Sequence, residues 1–157
     1  MTEIPTQLLN DYYRCLTIDI SDYEQKVEWK KVPEFVTDVI IKAGGSGDTV
    51  CQKVFEHAIG AHEAGKRVHL YYWHDGIEDP IKQAQHFLSI AERVVGVGVP
   101  VCSLTIDLEQ WWADWAIWRK YKNTKNEYKI PRLSSEVISE SGRKMTSYLK
   151  ANSKLKV

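Results

Sequence analysis

No apolar run in the 157-residue chain approaches the roughly 20 residues that a membrane-spanning helix needs, so no membrane partner is expected. The N-terminus, MTEIPTQLLNDYY, has neither a basic start nor a long apolar stretch, so no signal peptide is expected. The chain reads as cytoplasmic when made, and action outside the cell would need another export route. An excess of one charge is also missing. Lys plus Arg and Asp plus Glu stand at 21 each, which gives no prompt for a nucleic-acid partner. The cysteines, Cys15, Cys51 and Cys102, make no even framework and no C-x-x-C spacing, so no disulfide is expected. Cys15 and Cys102 sit in apolar runs and read as small buried hydrophobes. His57, His62, His69, His74 and His86 show no zinc-like spacing, and neither metal nor cofactor is expected. There is no G-x-S-x-G elbow and no P-loop. Gly44-Gly45-Ser46-Gly47-Asp48 lacks the Lys-Ser/Thr ending of a phosphate cradle and reads as a turn into a helix capped by Asp48.

What is present is an ordinary globular composition, 43 % apolar and 27 % charged, enough for one sizeable core. Six Trp and eight Tyr suit core packing and carbohydrate contact alike. Four short β-branched runs read as strands buried on both faces of a parallel sheet: 14–20, 38–43, 68–73 and 100–107. Helical spacing fills the gaps. Residues 48–64 carry Val50, Val54, Ala58 and Ala61 on one face and stop at Gly65. Asp79-Pro80 opens the next helix, with Ile81, Ala84, Phe87, Leu88 and Ala91 as its stripe. A late helix starts at Ser134-Ser135-Glu136 and aligns Ile138, Gly142, Met145 and Leu149. Only a short helical piece, around Val32 to Val36, separates the first two strands. The polar stretch 120–129 reads as a solvated loop, and Trp111, Trp112, Trp115 and Trp118 as a packing stripe. Leu155-Lys156-Val157 resembles the start of a fifth strand.

Strand–helix alternation implies an α/β fold with right-handed crossovers in a single domain over 1–157. In such folds ligand sites gather at the C-terminal ends of the strands. The first strand ends Ile18-Asp19-Ile20, the third Tyr71-Tyr72-Trp73-His74-Asp75, and the fourth Ile106-Asp107-Leu108-Glu109. Side chains two apart on a strand share a face, with Cα atoms roughly 6.5–7 Å apart. Asp107 and Glu109 therefore form a carboxylate pair of the kind that glycosidic cleavage uses, one protonated and one ionised. Asp19 is expected to face the same cavity. Clustered carboxylates raise one another's proton affinity, which keeps one of them available as an acid. His74-Asp75 reads as loop capping.

The order of these segments resembles family-25 glycoside hydrolases, the Chalaropsis-type lysozymes. Ile18-Asp19-Ile20-Ser21 resembles the family's "IDVS" strand and Trp29 the Trp after it. Ile41-Lys42-Ala43-Gly44-Gly45 resembles "IKATEG", and Ala64-Gly65-Lys66 through Tyr71-Tyr72-Trp73 is similar to "AG…G-YHF". Gln83-Ala84-Gln85-His86-Phe87 resembles the "QA..F" helix, and Ile106-Asp107-Leu108-Glu109 is similar to the catalytic "LDVE". The matches keep their order from about residue 16 to 112. Gly44-Gly45 replaces Thr-Glu, and Tyr-Tyr-Trp replaces Tyr-His-Phe.

The resemblance implies a TIM-like (β/α) barrel, here truncated after about four βα units, that cuts peptidoglycan glycan strands without a cofactor. It implies Glu109 as general acid, Asp107 as the partner that steadies the oxocarbenium-like state or orients the substrate's N-acetyl group, and Asp19 as a supporting acid. Tyr71 and Trp73 would line the saccharide groove, with Trp111 beside the acids and Lys42 in the groove. A complete barrel typically needs roughly 200 or more residues. An incomplete one leaves an edge strand that a second copy would cover, so a homo-oligomer is expected. The alternative reading is a non-catalytic, barrel-derived carbohydrate-binding or assembly module.

Overall fold

A computed structural model describes residues 16–109 and 112–157. In chain order the elements are β1 (Leu16–Ile20), a 3-10 turn (Trp29–Lys31), β2 (Val36–Gly45), β3 (Thr49–Val50), α1 (Val54–Glu63), β4 (Arg67–His74), α2 (Pro80–Gly96), β5 (Val101–Leu108), α3 (Trp115–Tyr121), a second 3-10 turn (Glu127–Lys129) and α4 (Ser135–Asn152). β1, β2, β4 and β5 form a parallel sheet in that order, and β3 pairs antiparallel to the end of β2. The expected mixed α/β fold with a parallel sheet is present. The barrel is not closed: within the described residues the sheet is an open one.

The helices α1, α2 and α4 pack against the sheet, and alternation along each strand aims its apolar residues at them. On β4, Val68, Leu70, Tyr72 and His74 are buried while Arg67, His69, Tyr71 and Trp73 are not. Val39, Ile41 and Ala43 of β2 join Leu70 and Leu104 in one cluster with Ala58 and Ala61 of α1, Phe87, Ile90 and Val94 of α2, and Met145 and Leu149 of α4. The expectation of strands buried on both faces is thus corrected. One face is covered by helices, and the other carries half-exposed polar and aromatic side chains. Cys102, expected inside, is exposed, because the ladder slips between Val68 and His69 opposite it. Cys51 is also a free thiol, and Cys15 lies outside the described residues.

Two helix starts follow their sequence signals. Asp79 Oδ1 accepts from the backbone of Ile81 and Lys82 ahead of Pro80, and Ser134 Oγ accepts from Val137 N. The first helix ends where expected, at Gly65 with φ +72°. Its beginning differs. Residues 48–53 are not helical: Gly47 and Asp48 turn with φ of +71° and +55°, and Thr49–Val50 pair back onto Gly44–Gly45. Asp22, thirty residues upstream, caps this helix instead of Asp48, accepting from Gln52 N and Lys53 N at 2.9 Å each. The piece expected at 32–36 lies earlier, as the 3-10 turn, because Val36 already belongs to β2. The stretch 120–129 is solvated but structured, holding the end of α3 and the second 3-10 turn.

At the sheet's N-terminal end, a polar row ties three strands together. Arg67 donates two hydrogen bonds to Asp38, at 2.8 and 2.6 Å, and His69 Nε2 lies 2.8 Å from the same carboxylate. His69 Nδ1 continues the row to Ser103 Oγ at 2.7 Å. Beyond β5, Lys156 bridges in parallel to Ser103, and Lys156 O accepts from Leu104 N at 2.7 Å. The last residues therefore do take strand pairing, as their sequence suggested.

Candidate active site

The strands' C-terminal ends bring Asp19, Tyr71, Thr105 and Asp107 around one open hollow of about 300 Å³ on the helix-free face. β1 and β5 are separated by β2 and β4. In a flat sheet three strand spacings would hold Asp19 and Asp107 roughly 14 Å apart. Tyr71, from β4, spans the gap between them: it hydrogen-bonds Asp19 and feels the charge of Asp107. The register places Trp73 directly opposite Asp107 and Tyr71 opposite Thr105, so this row is set by backbone pairing.

The carboxylates act on one another. Burial raises the proton affinity of Asp107, and the charges of Glu109 and Asp19 raise it further, while Lys42 opposes them. Tyr71 is held firmly in its phenol form, first by burial and then by the charge of Asp19 and a hydrogen bond to that carboxylate. Lys42 Nζ lies 5.9 Å from the Tyr71 ring centre and 5.7 Å from that of Trp73, close enough for cation–π attraction. Glu109 sits one residue past the end of β5 and is exposed. The site thus pairs a half-buried acid with an exposed one, under one lysine and two aromatic rings. That set can hold one proton and one negative charge side by side.

The structure brings together Asp19, Asp107, Tyr71, Lys42 and Trp73, with Glu109 within electrostatic reach of Asp107. Trp111 lies outside the described residues. Three residues were not expected beside the site from sequence. Thr105 lines the hollow, and its signal was only its place two residues before Asp107. Cys51 lies near Lys42 and Asp22, and burial with the Asp22 charge pushes its thiol up to about 11, which keeps it unreactive. Trp115 stands edge-on to Trp73 with ring centres 6.2 Å apart, so part of the Trp stripe belongs beside the site.

The remaining polar candidates are structural. His74 is buried between Gln83 Oε1 at 2.7 Å and Ser141 Oγ at 2.8 Å. Asp75 is buried too, accepting from Ile77 N, Glu78 N, Gln83 and Ser46, which agrees with loop capping. His57 Nε2 meets Ser21 O at 3.2 Å. Among the described residues no group of three or more His, Cys, Asp and Glu is arranged to hold a metal ion, and no helix is long and apolar enough to cross a membrane. A larger hollow of about 790 Å³ lies between the first 3-10 turn and α1, lined by Lys26, Trp29 and Gly60. Size alone does not make it the site, because the clustered acids are at the other one.

Residues 18–156 match the model for Glycosyl hydrolases family 25. No curated protein matches the chain. Among solved structures it is similar to the catalytic domain of endolysin ply40 from bacteriophage P40 of Listeria monocytogenes, with TM-score 0.68 and 17 % identity over 88 % of this chain and 59 % of that one. A family 25 glycosyl hydrolase from Bacillus anthracis gives 0.61 and 16 %, over 86 % of this chain and 54 % of that one. A bacterial lysozyme from Streptomyces coelicolor gives 0.61 and 15 %, over 87 % and 58 %. The chain therefore spans little more than half the length of these structures.

Proposed function

Because the chain belongs to the glycosyl hydrolases of family 25, we propose that it is a muramidase-type glycosidase that cleaves β-1,4 bonds in peptidoglycan glycan strands. The carrying observation is the gathering of acids at the strand ends: Asp19 and Asp107 line one hollow with Tyr71, and Glu109 lies within electrostatic reach of Asp107. Acids gathered at neighbouring strand ends can supply a proton donor and a negative charge at one place. Glu109, the exposed member, delivers the proton to the glycosidic oxygen as the bond to the ring carbon breaks. Asp107 faces the positive charge that develops on the sugar, or orients the substrate's N-acetyl group against it. Asp19 acts through Tyr71, fixing the phenol at the groove floor. Water then takes the sugar carbon and returns a proton to the ionised acid.

Trp73 and Tyr71 offer apolar faces to sugar rings, and Lys42 draws polar groups of the substrate towards Asp107. The listerial phage endolysin and the Streptomyces lysozyme named above support cell-wall glycan as the substrate class. The open parallel sheet is read as an arc of a (β/α) barrel within a single domain. A second copy over its open side, and production in the cytoplasm with action at the wall, complete the proposal. The cluster of interacting acids speaks against a purely non-catalytic binding or assembly module. Release of soluble muropeptides from purified peptidoglycan by the protein, and its loss in Glu109→Gln, tests the reading.

A further inference from the structure

β5 ends at Leu108, and residues 112–132 form an excursion outside the sheet. Trp112 and Arg132 form an antiparallel bridge, and Ala113 N donates to Pro131 O at 2.7 Å, so the excursion is closed at its neck. Inside it, Asp114 caps α3 by accepting from Ala116 N and Ile117 N at 2.7 and 2.9 Å. Residues 112–132 hold six Lys or Arg and only two acids, Asp114 and Glu127, in a chain whose charges balance overall at 21 each. All six cationic residues are exposed. Several of their heads are seated over rings: Lys122 Nζ lies 4.2 Å from the Trp118 centre and Lys120 Nζ 5.1 Å from that of Tyr121. Seated cations lose less freedom on meeting an anion than free ones do.

This basic surface is continuous with the acids. Trp73, opposite Asp107, meets Trp115 at 6.2 Å, and Trp115 meets Trp118 at 5.1 Å. The row thus runs Asp107, Trp73, Trp115, Trp118, Lys122. Rings followed by lysines fit a sugar chain that bears anionic groups along its length, because a neutral chain would use only the rings. A glycan strand of peptidoglycan has that form, carrying peptide stems with free carboxylates.

We propose that the 112–132 excursion binds the stem-peptide carboxylates of the same strand whose glycosidic bond lies at Asp107 and Glu109. The inference rests on the peptidoglycan reading above. It makes the excursion a specificity device, favouring peptide-bearing strands over bare glycan.

The test is co-sedimentation of the intact chain, carrying Glu109→Gln so that it does not digest the probe. It is compared with the same chain bearing Lys120→Gln, Lys122→Gln and Lys125→Gln. The probes are purified peptidoglycan, the same material stripped of its peptides by an amidase, and walls that keep their phosphodiester polymers. The triple substitution should weaken binding to peptide-bearing peptidoglycan about tenfold. The difference should shrink between roughly 50 and 300 mM salt and be absent on stripped glycan. Equal binding of both proteins to peptide-bearing material overturns the proposal. So does an equal loss on stripped glycan, or binding that follows phosphodiester content. Thermal melts confirm folding, and Lys125→Gln alone in the loop serves if the triple variant does not fold. Muropeptide release by the unsubstituted chain is scored separately. Its absence would sink the enzymatic reading while leaving the binding comparison interpretable.

Discussion

Trp73 stands directly opposite Asp107 in the β4–β5 ladder, with Lys42 Nζ 5.7 Å from its ring centre and Trp115 against its edge. Backbone pairing therefore delivers an aromatic surface beside the half-buried acid, and no loop has to close to bring it there.

Trp73→Ala should remove that surface while leaving the acids in place. An aromatic contact of about 1.4 kcal/mol corresponds to a tenfold change, so KM for peptidoglycan fragments should rise by about tenfold with a smaller change in kcat. Steady-state kinetics on soluble muropeptide oligomers reads the split. A fall in kcat alone would place Trp73 outside substrate binding.

Asp107 holds its proton more tightly in the fold than in the unfolded chain, through burial and the nearby Glu109 and Asp19. Its contribution to stability is complete below the unfolded aspartate range, around pH 4, and is lost as pH rises through the raised folded value. At neutral pH the ionised group opposes folding. Asp107→Asn should then raise Tm by a few degrees near pH 7, with the gain shrinking towards pH 3.5 or so. Melting curves at the two pH values check this, and an equal or falling Tm at neutral pH contradicts it.

Asp38 behaves in the opposite sense. The Arg67 hydrogen bonds hold its carboxyl well below the usual range, with Thr37 and His69 helping. Its stabilising effect is present above about pH 4 and drains away as pH falls through the depressed folded value. Asp38→Asn should cost about 1–3 kcal/mol at neutral pH, discounted for the exposed Arg67 partner. The penalty should narrow in acid, and denaturant melts at both pH values measure it.

Gly44 occupies the place where the family motif carries a side chain. A Cβ there would stand 2.1 Å from the Thr49 carbonyl oxygen, so Gly44→Ala must push β3 off the end of β2. The expected cost is roughly 1–3 kcal/mol, visible in denaturant melts. An unchanged midpoint would show that the hairpin gives way freely.

Short β-branched runs and Pro, Gly and Ser punctuation made the parallel strands and the starts of α2 and α4 legible in the sequence. The convergence of Asp19, Tyr71 and Asp107 on one hollow was legible because each stands near the C-terminal end of a parallel strand. The start of α1 was not legible. Its cap comes from Asp22, across space, and Gly47–Asp48 turn the chain into a hairpin that a helical apolar pattern hid. The exposed polar face was missed for a related reason. Short β-branched strands look alike whether covered on one side or both, and only the polar insertions Thr17, Asp19, Lys42, His69 and Thr105 betray the open side. The join between Trp73 and Trp115 depends on how an excursion folds back, which spacing along the chain does not encode.

The central claim is that Glu109 gives up the proton that breaks the glycosidic bond. A positioned general acid contributes roughly 10²–10⁴-fold to rate, so Glu109→Gln should lower muropeptide release by that amount while thermal stability stays within about 1 kcal/mol. The direct measurement is the initial rate of muropeptide release from purified peptidoglycan by wild type and Glu109→Gln at equal concentration. A loss of at least about a hundredfold is the predicted result, and equal rates from two folded proteins would contradict the account.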